Sequence, residues 1–241
     1  MQSGTKILSS SNSATFHFSG TRSQAYSRDL PELLIGFIAI MIILWLPTRE
    51  QLFFGPIALL APLGMVLSRR PTVDDLGLGW HGLLSSLWVL PAAVALSFVG
   101  IFVARQVGTL HQLDHPEFSH VYGYVLWTLY QQFLLQDYFM PRLTRLLTSD
   151  RAVIIAAGLF AVAHVPNVPL VLATVVWGVV SCLLFRRYHN LWVLGLAQGL
   201  LGLCFAVCVP DALHHHMRVG LGYFHYLPGG HYAGYHPATV R

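Results

Sequence analysis

The sequence predicts an all-α membrane protein, a polytopic bundle of about seven (six to eight) spanning helices, and two observations carry that expectation. Of 241 residues, 55% are hydrophobic and 10% are charged, with a mean hydropathy of +0.59. Soluble globular chains carry roughly a quarter charged residues. Several apolar stretches also approach the ~20 residues that a helix needs to cross a bilayer. A net charge of +4 and a pI near 9.1 would suit a nucleic-acid binder. Here, however, the basic residues sit in short loops between apolar segments, where they set topology. The expected partner is the lipid bilayer of an inner or plasma membrane, with no nucleic acid.

Residues 1–30 are polar and serine-rich (Ser9, Ser10, Ser11, Ser13) and lack the apolar stretch of a signal peptide. A disordered cytoplasmic tail is expected there. A transmembrane helical domain follows over 31–209. Its first segment runs from about Leu33 to Leu46, stopped by Pro47, and the second from about Leu52 to Leu67. Arg69, Arg70 and Pro71 break the pattern, and Val73 to Leu78 reads as a short interfacial turn. The third segment spans about Leu83 to Val103, and a polar linker with Asp114, His115 and Glu117 leads to the fourth, within His120 to Leu147. The fifth, Ala152 to His164, stops at Pro166. The sixth is about Leu170 to Phe185 and the seventh about Leu191 to Val209, ended by Pro210. Trp80, Tyr188 and Trp192 read as interfacial anchors. Residues 210–241 form a His-, Gly- and Tyr-rich tail. Cys182, Cys204 and Cys208 lie in apolar segments without metal-type spacing, as small hydrophobes do.

Loop charge sets the orientation. Lys6, Arg22, Arg28, Arg69, Arg70, Arg142, Arg145, Arg151, Arg186 and Arg187 fall on one side, and Arg49, Arg105, Arg218 and Arg241 on the other. The positive-inside rule places the first set, and the N-terminus, in the cytoplasm.

The fourth segment carries the chemistry. Gln131, Gln132, Gln136 and Asp137 interrupt an apolar run, and Gln132 and Gln136 share a helix face. Polar groups cost free energy in hydrocarbon unless they face protein or water, so the cluster marks the bundle interior. At 1.5 Å rise per residue, Gln132 and Gln198 lie roughly 12 Å above the inner face and His164 roughly 18 Å. Comparable depths on three helices point to one polar site.

These residues resemble the CAAX-protease and bacteriocin-processing family of intramembrane proteases over roughly 76–209. That family carries a Glu-Glu-x-x-x-Arg helix, then Phe-x-x-x-His, then His-x-x-x-Asn or Asp. Phe160-Ala161-Val162-Ala163-His164 is similar to the second motif, with Pro166-Asn167 after it. Asn190 to Val193 resembles the approach to the third, and Tyr138 to Leu143 the sequence after the first. Gln131 and Gln132 stand where the family has its glutamates, Gln136 at its arginine and Asp137 at a glycine. Gln198 stands at the third-motif histidine and Gly202 at its Asn or Asp. The resemblance implies a catalytic set of His164, Gln131, Gln132, Gln136 and Gln198, with Phe160, Asn167, Asp137 and Gly202 about the substrate pocket.

By that resemblance the chain is an endopeptidase acting on a membrane peptide or anchored protein, with glutamates activating water. Amides cannot take that part. A general base must accept a proton, and a carboxamide nitrogen has no usable lone pair. Glutamine is also a poor ligand for a catalytic metal. The alternative is a catalytically inactive relative that binds membrane substrates as a chaperone or assembly factor. A channel-like bundle is a third reading, without the broken-helix pair it requires. Plainer readings stand beside these: the amides and His164 as interhelical glue, and Asp137 reaching the interface or pairing with Arg142 or Arg145. In the tail, His214, His215 and His216 beside Asp211, with His225, His231 and His236, suggest a divalent metal such as zinc. Met217 to Gly220 reads as an ordered loop over the outer mouth.

Overall fold

The computed structural model describes residues 25–80, 82–112 and 118–225, and every regular element among them is helical. A π-helical turn, Ala25–Asp29, leads into α1 (Leu30–Trp45), whose Pro31 sits in the first turn where no amide partner is needed. Part of the expected tail is therefore ordered, and Asp29 is buried. The rest of it, 1–24, lies outside the described residues. After Pro47 comes α2 (Thr48–Leu67), which carries Pro56 and Pro62 inside. A short turn, Leu83–Ser86, precedes α3 (Val89–Val107), which ends at Gly108 in the left-handed conformation. The linker residues Asp114, His115 and Glu117 lie outside the described residues.

Next, α4 (Phe118–Phe133) runs without a break through a second π-helical turn, Leu134–Phe139, into α5 (Met140–Leu146). Two antiparallel helices follow, α6 (Ser149–Val162) and α7 (Val168–Tyr188), and then α8 (Leu191–Cys208). Asn167 and Asn190 cap α7 and α8, accepting from the amides of Leu170 (3.2 Å) and Val193 (3.1 Å).

Among the described residues, four helices are long and apolar enough to cross a membrane: Thr48–Leu67, Leu83–Val107, Val168–Tyr188 and Leu191–Cys208. Large apolar side chains such as Ile38, Phe53, Phe98, Leu172 and Val176 face outward, as they must where lipid is the solvent. Within the bundle α6 packs along α7, and α8 runs between α3 and α4. Small residues set these approaches. A Cβ on Gly195 of α8 would come within 3.0 Å of the Leu129 backbone, and one on Gly178 of α7 within 3.0 Å of Ala157. Backbones thus meet closely where the amides of the fourth segment face α7 and α8.

One end of the bundle is tied by ions. Asp29 accepts from Arg69 (2.7 Å) and Arg145 (2.5 and 2.8 Å), and Glu32 from Arg28 (2.9 Å), Arg69 (2.6 Å) and Arg142 (2.6 and 3.0 Å). Arg142 also donates to the Tyr138 carbonyl at 2.8 Å and lies over the Tyr138 ring, whose hydroxyl donates to the Glu32 carbonyl. Burial alone would push both carboxyls up. Hydrogen bonds and charge from the arginines outweigh it and hold both below the ordinary carboxylate range. Arg28, Arg69, Arg142 and Arg145 therefore do more than bias topology, since each meets a carboxylate near the start of α1.

Candidate functional site

Gln131, Gln132 and Gln136 project from the α4 helix and its π-helical extension, and Gln198 meets them from α8. Gln132 Nε2 donates to Gln198 Oε1 at 2.6 Å, and Gln198 Nε2 donates to Gln131 Oε1 at 2.5 Å. Gln136 Nε2 donates to Gln132 Oε1 at 3.1 Å and to Ser181 Oγ at 3.4 Å. Trp177 Nε1, on α7, adds a bond to Gln198 Oε1 at 3.1 Å. Gln132, Gln136, Gln198 and Ser181 are buried and Gln131 is partly exposed. Three helices therefore close on one polar knot, built of neutral groups.

His164 makes no hydrogen bond to that knot among the described residues. It lies in the turn after α6, and among the described residues its ring bonds only the Phe160 carbonyl, from Nδ1 at 2.7 Å. That bond places the ring proton on Nδ1 and leaves Nε2 with a lone pair. Phe160 meets the same ring edge-on at a centroid distance of 5.0 Å. The expected convergence of His164 with Gln132 and Gln198 does not occur through hydrogen bonds.

Other expectations change too. Asp137 pairs with neither Arg142 nor Arg145, because those guanidinium groups bond Glu32 and Asp29. Its Oδ2 is sealed from solvent without a partner among the described residues, as is Gln136 Oε1. Asn167, expected about a pocket, spends its whole side chain on structure. Besides capping α7, its amide donates to the carbonyls of His214 (2.7 Å) and Arg218 (3.0 Å). Gly202 is a packing position, where a Cβ would collide with the Tyr124 hydroxyl.

The described part of the histidine tail, 210–225, forms a cap. Among the described residues no three His, Cys, Asp or Glu side chains form a group that could hold an ion. Both ring nitrogens of His214 are taken by backbone: Nε2 donates to the Val209 carbonyl at 2.9 Å, and Nδ1 accepts from the Met217 amide at 3.0 Å. His215 Nδ1 donates to the Tyr223 carbonyl at 2.9 Å, and His216 Nδ1 lies 3.1 Å from Asp211. His231 and His236 lie outside the described residues. Gly220 donates to the Val165 carbonyl at 2.8 Å, and Phe224 meets Trp45 at a 6.2 Å centroid distance. This loop closes the bundle end opposite Asp29.

Burial lowers the His214 pKa from its ordinary value of 6.5, against upward contributions from Asp211 and the Val209 carbonyl and with help from His111 and His216. The folded cap then binds fewer protons than the unfolded one, so its stability is complete above about 6.5 and falls as pH drops below that value. Protonated Nδ1 can no longer accept from Met217. The Met217 amide should exchange with deuterium several-fold faster at about pH 5 than at about pH 7.5, after correction for intrinsic rates. Equal corrected protection at both values would refute this.

Trp177 and Ser181 escaped the sequence reading. Their spacing of four residues within the apolar sixth segment is the signal that puts both on one face toward the amides.

Comparison with known proteins matches residues 117–204 to a family described as Type II CAAX prenyl endopeptidase Rce1-like. No curated protein and no solved structure matches the chain.

Proposed function

We propose, since the chain belongs to the CAAX-protease and bacteriocin-processing family and is an integral, multi-pass membrane protein of the intramembrane-protease kind, that it binds a membrane peptide or prenylated, anchored protein without cleaving it. One observation carries this reading: the positions that resemble the family's glutamates and third-motif histidine form a knot of neutral amides bonded to one another. Hydrolysis needs a group that takes a proton from water near neutral pH. Gln131, Gln132 and Gln198 have none to offer. His164 has a free lone pair but is hydrogen-bonded to its own helix, and the sealed oxygen of Asp137 faces no donor. The retained helical core leaves substrate binding as the activity the chain keeps. By the positive-inside rule the end that carries Asp29 and its arginines faces the cytoplasm, and the cap faces the other side.

The test uses purified protein in detergent with a peptide ending in a farnesylated cysteine and three further residues. Saturable binding by fluorescence anisotropy without new products by mass spectrometry is the expected result. Cleavage by the wild type that disappears in His164→Ala would overturn the reading.

A further inference from the structure

The amide knot has a direction, and its direction leaves one end open. Trp177 Nε1 is a donor only, so Gln198 must turn its oxygen toward it. Gln132 lies 2.6 Å from that same oxygen and must present its NH2 group, which points its own oxygen at Gln136. Ser181 fixes the far end. Its hydroxyl proton goes to the Gly178 carbonyl at 3.2 Å, so its oxygen accepts, and Gln136 must again present nitrogen. Gln198, with its oxygen taken, gives its NH2 to Gln131 Oε1. Every amide from Gln136 to Gln131 therefore points the same way. The chain ends in Gln131 Nε2, which has no acceptor among the described residues, on the one member of the four that is partly exposed.

We propose that Gln131 is a binding residue whose terminal NH2 group holds a carbonyl oxygen of the bound peptide. This deepens the reading above and rests on it. In a chain of aligned amides each bond polarises the next, so the last N–H is a better donor than that of an isolated amide. Only an acceptor fits it, which excludes ammonium and guanidinium groups. An extended peptide in a membrane carries backbone carbonyls that lack helical partners, and each gains by meeting such a donor. Where a glutamate would present an oxygen to a water, this chain presents a proton to an oxygen. The ligand is a backbone carbonyl or the peptide's terminal carboxylate, which share that chemistry.

Gln131→Glu separates the two ends of the side chain. One carboxylate oxygen still accepts from Gln198, while the donor becomes a second oxygen. Measured at about pH 8 by anisotropy with the farnesylated peptide, this variant should bind at least about tenfold more weakly than wild type. Trp177→Phe removes the donor that orients Gln198 while the aromatic packing stays, and should weaken binding about threefold. The peptide acid and its C-terminal amide distinguish the sources: equal affinity assigns a backbone carbonyl, and a loss confined to the amide form assigns the carboxylate. Gln131→Glu that binds like wild type overturns this assignment and leaves the non-cleaving binder intact. A wild type that binds neither peptide overturns both.

Discussion

Arg142→Ala should lower stability by about 3 kcal/mol, toward the lower end of the 3–5 kcal/mol that follows loss of one partner from a buried ion pair. The guanidinium is 1% exposed and the Glu32 side chain 17%. Its removal strips two bonds from Glu32 Oε2 and one from the Tyr138 carbonyl. Glu32 keeps Arg28 and Arg69, which is why the loss stays near the low end. The contrast is Arg28→Ala, whose side chain is 63% exposed and whose pair contributes below about 1 kcal/mol. Thermal unfolding in detergent ranks the two. Adding Glu32→Ala to Arg142→Ala should cost less than the sum of the single changes, because both act on one interaction. Arg142→Ala no worse than Arg28→Ala would show that the cluster is solvated.

Gln198→Leu should cost about 2–4 kcal/mol. It deletes three hydrogen bonds and leaves Gln132, Trp177 and Gln131 with unmet groups, that of Gln132 fully buried. Each unmet group costs about 1–3 kcal/mol in water-soluble cores, and interhelical bonds in membranes average nearer 0.6. The sum sits between those limits. Gln198→Glu, which still accepts from Gln132 and Trp177 but cannot donate to Gln131, should lose less. If unfolding of Gln198→Leu is indistinguishable from wild type, the amides are not joined as described.

Much of the bundle was legible because apolar length and proline punctuation speak locally. Pro47, Pro166 and Pro210 mark the ends of helices, and Arg186-Arg187 closes α7. The four amides were legible as interior because amides among leucines have nowhere else to go. Three things were not. That Asp29 and Glu32 meet arginines from 37 to 116 residues away depends on which loops share an end. That Asn167 is spent on the 214–218 carbonyls requires the cap to fold back, which no periodicity encodes. That His164 lies past the end of its helix is not written in the apolar run. The helix in fact stops at Val162, and the histidine turns back to Phe160.

The bond from Arg142 to Glu32 joins residues 110 apart in sequence. During synthesis Asp29 and Glu32 therefore have Arg28 and Arg69 beside them long before Arg142 and Arg145 exist. A ribosome-bound fragment that ends before Arg142 holds the first pair of helices with half of their arginines, and chain order makes the fifth helix the one that completes the ion cluster.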